Sequence, residues 1–121
     1  MTNTDPLVMY SEKGKIRISE DIILTIARNA VKEIEGITDI SGGFPGGIVR
    51  LFNRSSTAKS GVLLEKEEDH LILNLSLVVL YGVPIPQLVE QAQEKVKQAV
   101  ETMTEISVEQ VNIFVHNLKT T

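Results

Sequence analysis

Two histidines and a short acidic turn are the first residues whose chemistry could bind a ligand. His70 follows Glu67, Glu68 and Asp69, so this turn offers carboxylate oxygens beside one imidazole. The spacing matches neither a helical zinc motif nor a calcium-binding loop, which place their ligands at fixed intervals. His116 lies near the end of the chain and has no second histidine at a ligand spacing. The sequence therefore favours a solvated turn, and we expect no metal site.

Nucleophilic and phosphate-binding chemistry finds equally little support in the sequence. Ser55, Ser56 and Ser60 lie in a polar stretch without the strand–turn–helix elbow that exposes a catalytic serine. The glycines around Phe44 and Pro45 lack the following Lys and Ser or Thr of a phosphate loop. The chain has no cysteine, which excludes disulfides, thiolate zinc sites and a Cys nucleophile. We therefore predict no enzyme activity, no catalytic residues and no cofactor.

Composition limits the remaining classes of function. A length of 121 residues predicts one domain, and 42% apolar with 4% aromatic residues predicts an aliphatic core. A net charge of −4 disfavours nucleic-acid binding, which needs clustered Lys and Arg. Residues 1–10 lack the features of a signal peptide, and the longest apolar run, residues 77–81, is too short to cross a bilayer. We expect a cytoplasmic protein whose membrane association, if any, comes through a partner.

Two amphipathic helices are predicted, at residues 20–35 and 86–103. Ser19 is a suitable N-cap for the first, and Gly36 a suitable stop. Pro86 suits the first turn of the second, where its missing N–H costs nothing. Apolar residues at helical spacing predict the buried stripes, which are Ile23, Ile26, Ala27, Ala30, Val31 and Ile34, then Leu88, Val89, Ala92, Val96, Ala99, Val100 and Met103.

Four strands are predicted from alternating or β-branched segments, at residues 14–18, 62–67, 71–81 and 108–117. Ile16 and Ile18 should point inward in the first strand. The odd-numbered residues of 71–81, from Leu71 to Tyr81, should form the core face of the longest strand. Residues 1–13 should form a flexible tail, and residues 38–61 a mobile insert within a single domain at 14–118.

This β-α-β-β-α-β order predicts an α+β fold, a two-layer sandwich with both helices on one face of a mixed or antiparallel sheet. A split β-α-β arrangement of the ferredoxin-like type fits the order. The pattern does not determine which strands are neighbours.

The uncovered face of the sheet is the first candidate partner surface. If the helices cover the odd-numbered residues of 71–81, Val78 and Leu80 lie on the opposite face. Phe114 joins them if the last strand carries Val111, Ile113 and Val115 toward the core. An exposed apolar patch of this kind usually marks a protein contact, unless the tail or residues 44–60 cover it.

A basic and apolar segment is the second candidate surface. Phe44 and Phe52 lie close in sequence to Arg50 and Arg54. Such a segment suits docking on a protein or on an anionic membrane surface. It is equally well explained as a short packed helix followed by an exposed loop.

Several motifs together resemble the alkaline-shock-protein family. Residues 14–19 read GKIRIS and lead into a helix that ends with IEGI at 34–37. Residues 78–86 read VVLYGVPIP, and residues 93–97 read QEKVK. Residues 103–115 read MTEISVEQVNIFV, which is similar to the family's ending. Glu105 departs from that ending, since the family usually has Gly there.

The resemblance implies a protein of Gram-positive bacteria with a role in cell-envelope stress and homeostasis. Better-studied relatives self-assemble and are held at the membrane by a small integral anchor protein. We therefore predict a non-catalytic scaffold or adaptor that acts through homo-oligomers or a membrane-anchor partner. The alternative is a small ligand-binding or RNA-binding regulatory module, by analogy with other small α+β sandwiches.

Overall fold

The computed structural model describes residues 5–40, 56–59 and 61–120, of which 56–59 are described by their backbone alone. These residues form two helices and seven strands. In chain order the elements are β1 Val8–Ser11, β2 Gly14–Arg17, α1 Glu20–Lys32, β3 Ile37–Ile40, β4 Ser56–Lys59, β5 Val62–Glu67, β6 His70–Leu80, α2 Ile85–Thr104 and β7 Ser107–Lys119. The predicted α+β class is confirmed.

The first helix begins as its sequence predicts. The Ser19 hydroxyl accepts a hydrogen bond from the Asp21 N–H at 3.1 Å, which satisfies one of the free donors of the first turn. The helix ends at Lys32, earlier than predicted. Gly36 lies beyond it with φ +101°, in the turn that leads into β3. A side chain there would adopt a strained backbone and press on Leu88, whose Cδ1 lies 3.3 Å from the position of an added Cβ.

The second helix ends in a left-handed residue. Glu105 has φ +60°, and its N–H donates to the Glu101 carbonyl at 2.9 Å. Glycine adopts this conformation without strain, so Gly would fit the position better than Glu. Met103, predicted to be buried, is 69% exposed, and that prediction is wrong. Thr104 occupies the buried position instead, with its hydroxyl donating to the Val100 carbonyl at 2.7 Å.

Strand β6 is the centre of the main sheet, which is mixed. On one side β6 pairs antiparallel with β5 along its first part and with β3 near its end. On the other side it pairs in parallel with β7 from His70 to Leu80. Strand β4 extends the sheet beyond β5. Strands β6 and β7, which precede and follow α2 in the sequence, are direct neighbours in the sheet. A split β-α-β arrangement would place another strand between them, so that arrangement is wrong.

Both helices pack on one face of this sheet, as predicted. Leu71, Leu73, Leu75, Leu77 and Val79 are all fully or almost fully buried. They lie in the core with the buried stripes of α1 and α2. Tyr81, by contrast, is 68% exposed. The prediction for Tyr81 is wrong because β6 ends at Leu80 and the alternation does not continue into the turn at Gly82.

The segment before α1 is more ordered than predicted. Strands β1 and β2 pair antiparallel in a separate two-stranded sheet, and Leu7 is buried in the main core. For the described residues 5–13, a flexible tail is therefore wrong. Ile16, predicted to point inward, is 46% exposed because this hairpin lies outside the main sheet, whereas Ile18 packs against the core.

The predicted mobile insert at 38–61 is wrong at both of its ends. Residues 38–40 belong to β3, which pairs with β6, and residues 56–59 form β4, which pairs with β5. Both strands are short and lack an alternating pattern that would reveal them. The remaining part, residues 41–55 and 60, lies outside the described residues.

Candidate partner surface

The face of the main sheet opposite the helices carries the even-numbered residues of β6, and it is called here the second face. Leu63 of β5 pairs with Asn74 from one side, and Asn112 of β7 pairs with Asn74 from the other. Phe114 pairs with Ser76. Since paired residues in neighbouring strands point to the same side, Phe114 shares the second face with the even-numbered residues of β6.

Burial on the second face falls from its centre toward its margin. Leu63, Asn74 and Ser76 are buried, although the helices lie on the other side of the sheet. Val78, Leu80 and Phe114 are partly exposed. The structure therefore places these three predicted residues on one face, with Val78 and Leu80 near the end of β6 and Phe114 on the neighbouring strand beside Ser76.

A chain of polar side chains crosses the second face from β5 to β7. The Asn74 amide Nδ2 donates to Glu65 Oε2 at 2.8 Å, and its Oδ1 accepts from Asn112 Nδ2 at 3.0 Å. Asn112 Nδ2 also lies 3.4 Å from Gln110 Oε1, which it approaches as a donor. The buried Asn74 is thus hydrogen-bonded to both neighbouring strands. The network compensates the burial of Asn74 and favours one register of the three strands.

Ser76 lies next to this network without joining it. Its side chain is 0% exposed, and its Oγ has no hydrogen-bond partner among the described residues. Its backbone N–H donates to the Gly61 carbonyl at 2.8 Å. Burying a hydroxyl that lacks a hydrogen-bond partner lowers the free energy of unfolding, so Ser76 is a destabilising position of the second face.

The helix layer carries an apolar groove that the sequence pattern does not predict. Ile22 and Met103 are 48% and 69% exposed on its two sides, with Ala99 between the helices. The groove has a volume of about 460 Å³, and a 3.0 Å ion pair between Lys95 Nζ and Glu33 Oε1 joins α1 to α2 beside it. The available signal was Ile22 itself, an apolar residue outside the buried stripe of its helix.

His70 links the two parallel strands and does not lie in a free turn. It is the first residue of β6, and its Nε2 lies 3.1 Å from Glu109 Oε2 in β7. Its Nδ1 lies 3.3 Å from Asp69 Oδ1. Within residues 5–40 and 61–120, no group of three or more His, Asp or Glu side chains is arranged to hold a metal ion.

The second predicted surface cannot be placed. Phe44, Arg50, Phe52 and Arg54 lie outside the described residues. Their role in docking stays a prediction, and so does the alternative that residues 44–60 cover the second face.

Comparison with known proteins identifies the family. The model of the alkaline shock protein 23 family, described as having a cell envelope-related function, matches residues 9–120. The chain belongs to this family. The predicted resemblance is confirmed, and the match includes β2 and all of β1 except Val8.

Three similar proteins come from Bacillus subtilis and Streptococcus pyogenes. The uncharacterized protein YqhY of Bacillus subtilis is 31% identical over 102 residues, which are 84% of this chain and 75% of the relative. A stress response regulator gls24 homolog of Streptococcus pyogenes is 23% identical over 118 residues, 98% of this chain but 66% of the relative. The uncharacterized protein Spy1614 of Streptococcus pyogenes is 26% identical over 111 residues, covering 90% and 91% of the two chains.

No solved structure matches the chain. In the part of the chain that the structure describes, neither helix combines the length and the apolar character needed to span a bilayer. The family membership supports a role related to the cell envelope and to stress.

Proposed function

We propose that this protein is a non-catalytic scaffold or adaptor of the envelope stress response, which acts by self-assembly or by binding a membrane-anchor partner. The observation that carries the proposal is the group of partly exposed apolar side chains Val78, Leu80 and Phe114 at the margin of the second face. Apolar surface of this kind stabilises a complex when a partner removes it from water.

The surroundings of this surface suit a binding role. The network from Glu65 through Asn74 to Asn112 ties three strands together directly beside it. The opposite side of the same strands is held by the aliphatic core. A surface on rigid strands loses little conformational entropy when it binds, so more of its contact energy contributes to affinity.

The family supports the setting of this function. Its model is described by a cell envelope-related function, and a relative carries the name stress response regulator. A scaffold at the envelope needs contact surfaces and no reaction chemistry. This is consistent with a chain whose described features include partly exposed apolar side chains on the second face and an apolar groove between the helices.

The decisive experiment combines light scattering with capture of partners from membranes of the native host. The wild type is compared with Val78→Ser and with the control Ile22→Ser, which removes a more exposed apolar side chain from the helix layer. We expect assembly or capture of a membrane protein by the wild type and the control, and a loss in Val78→Ser. A wild type that stays strictly monomeric and captures no membrane protein would rule the proposal out.

An RNA-binding module is the less supported alternative. Sheets that bind single-stranded RNA usually display several aromatic residues for base stacking. Among the described residues of the second face, Phe114 is the one aromatic side chain, and Glu65 adds a negative charge. Salt-sensitive binding of single-stranded RNA that is lost in Phe114→Ala would favour this alternative over the scaffold.

A further inference from the structure

Strand β7 is a long edge strand. It spans Ser107–Lys119 and pairs with β6 on one side, while no strand of the described residues pairs with its other side. The backbone N–H and C=O groups on an open edge can pair with another strand, and proteins usually protect such edges with charges, prolines or covering elements.

The first part of this edge is protected by side chains of α2. Lys97 Nζ donates to the Val108 carbonyl at 3.1 Å, and Glu101 Oε2 accepts from the Val108 N–H at 2.8 Å. Gln93 Nε2 donates to the Val111 carbonyl at 3.0 Å. Polar groups of the helix thus take the place of a neighbouring strand as far as Val111.

The end of the edge is also occupied. The Leu118 N–H donates to Asn117 Oδ1 at 2.9 Å, so it points away from β6. The Lys119 carbonyl accepts from the Tyr81 N–H at 2.8 Å and faces the β6 side. At this end of β7, Leu118 therefore presents its backbone groups outward and Lys119 presents its carbonyl toward β6.

In the part of the chain that the structure describes, the middle of this edge has no protecting contact. Outward and inward backbone groups alternate along a strand, so after Val111 the outward residues are Ile113 and Val115. Within the described part of the chain, no side chain or helix end bonds their outward N–H and C=O groups. The open stretch, defined by these outward backbone groups of Ile113 and Val115, is short and apolar.

We propose that this open stretch pairs antiparallel with the same stretch of a second copy, about a two-fold axis at Phe114. Ile113 of one copy then exchanges both backbone hydrogen bonds with Val115 of the other, and the reverse pair does the same. The two Phe114 side chains meet on the second face, where directly opposed residues have Cβ atoms about 4.5–5.5 Å apart. The proposal rests on the self-assembly part of the proposed function and gives it a geometry.

Charge favours a second copy in this orientation. The edge carries Glu109 near its start and Lys119 at its end, and residues 110–118 contain no Asp, Glu, Lys or Arg. An antiparallel pair brings the acidic end of one copy toward the basic end of the other, whereas a parallel pair brings like charges together. Outward backbone groups are already bonded at Val111 before the open stretch and at Leu118 after it, so pairing is limited to a centre at Phe114. A segment that pairs antiparallel about its own centre is complementary to itself.

Cysteine cross-linking tests the axis directly, because the chain contains no native cysteine. Phe114→Cys should form a covalent dimer under mild oxidation, since opposed residues at the axis lie within reach of a disulfide. Met103→Cys is the control, because its side chain is far more exposed but lies on the helix layer. Equal cross-linking of the two variants would overturn the proposal.

Proline substitution tests the hydrogen bonds. Val115→Pro removes an outward N–H and should raise the dimer dissociation constant at least about tenfold, while the bonds to β6 remain. Leu118→Pro removes another outward N–H, outside the open stretch, and should leave the dimer intact. Sedimentation and circular dichroism report association and folding, and unchanged dimerisation of Val115→Pro would overturn the proposal.

These experiments separate the pairing mode from the proposed function. The β7 pairing is refuted, and the scaffold proposal is kept, by three results together. The wild type assembles, Val115→Pro dimerises as the wild type does, and Phe114→Cys forms no covalent dimer. A monomeric wild type that still captures a membrane protein refutes the pairing and supports the adaptor.

Discussion

The two faces of the main sheet are built on different principles. The face under the helices is aliphatic and closed, with Leu73, Leu75 and Leu77 buried against both helices. The second face is mixed: its centre holds a hydrogen-bonded Asn74 and a Ser76 hydroxyl without a partner among the described residues, and its margin holds partly exposed apolar side chains. The first face stabilises the fold by removing apolar surface from water. The second face keeps polar groups and exposed apolar surface that stability alone does not require, which is what a binding surface needs.

The same contrast exists along β7. Its first part is held by three side chains of α2. In its middle, the outward backbone groups of Ile113 and Val115 have no partner among the described residues. These contacts prevent another strand from pairing with the first part of β7. Pairing is therefore confined to a few residues in its middle. The exposed margin of the second face and the open edge therefore lie in the same region of the molecule.

The largest difference between the faces should appear on truncation of equivalent residues. Leu75→Ala should reduce the free energy of unfolding by about 2–5 kcal/mol, because it leaves a cavity in a closed aliphatic core. Ile72→Ala, on the partly exposed second face, should cost less than about 1.5 kcal/mol. Urea denaturation measures both. Similar losses for the two variants would mean that the second face is as tightly packed as the core.

The polar network should give the next largest effect. Asn74→Ala removes the amide that bridges Glu65 and Asn112, and we expect a loss of about 1–3 kcal/mol because their hydrogen bonds are lost in a partly buried site. The double variant Asn74→Ala with Asn112→Ala should cost less than the sum of the two single variants. Strict additivity in urea denaturation would show that the three residues do not act as a network.

The sequence predicts the helix-covered face well, and for a clear reason. Period two in residues 71–79 and helical spacing in both helices each identify a buried side, and these sides can only be buried against one another. The pattern also separates Val78 and Leu80 from the core. It places Phe114 only conditionally, because the direction of β7 relative to β6 depends on the path of the chain through α2.

The second face and the short strands are harder to predict. Asn74 and Ser76 look like exposed residues in the sequence, but Asn74 is buried because Glu65 and Asn112, from two other strands, supply its partners. Strand β3 pairs with β6 across a long sequence separation, and its residues ITDI carry no distinctive pattern. Glu105 adopts a left-handed turn that its own residue type does not indicate.

Ser76 offers a gain of stability where the core offers only losses. Ser76→Ala removes a buried hydroxyl that has no partner among the described residues, and its backbone bond to Gly61 is kept. We expect the free energy of unfolding to rise by about 1 kcal/mol, the cost of burying an unpaired hydroxyl. The midpoint of urea unfolding measures this, with the exposed Ser107→Ala as control. A loss of stability in Ser76→Ala would mean that the hydroxyl has a partner in solution.

The smallest effect on stability should accompany an effect on association. Leu80→Ser alters a partly exposed residue at the margin of the second face, and we expect the free energy of unfolding to change by about 0.5–1 kcal/mol. Association should weaken more clearly, because the apolar area lost is area that a partner would cover. Tyr81→Ser is the matched control, since it removes a neighbouring, more exposed side chain that lies beyond the end of β6. If light scattering shows that both variants weaken association equally, then exposure and not the second face determines self-assembly. If Leu80→Ser alone weakens it, the contrast between the two faces is a division between folding and binding.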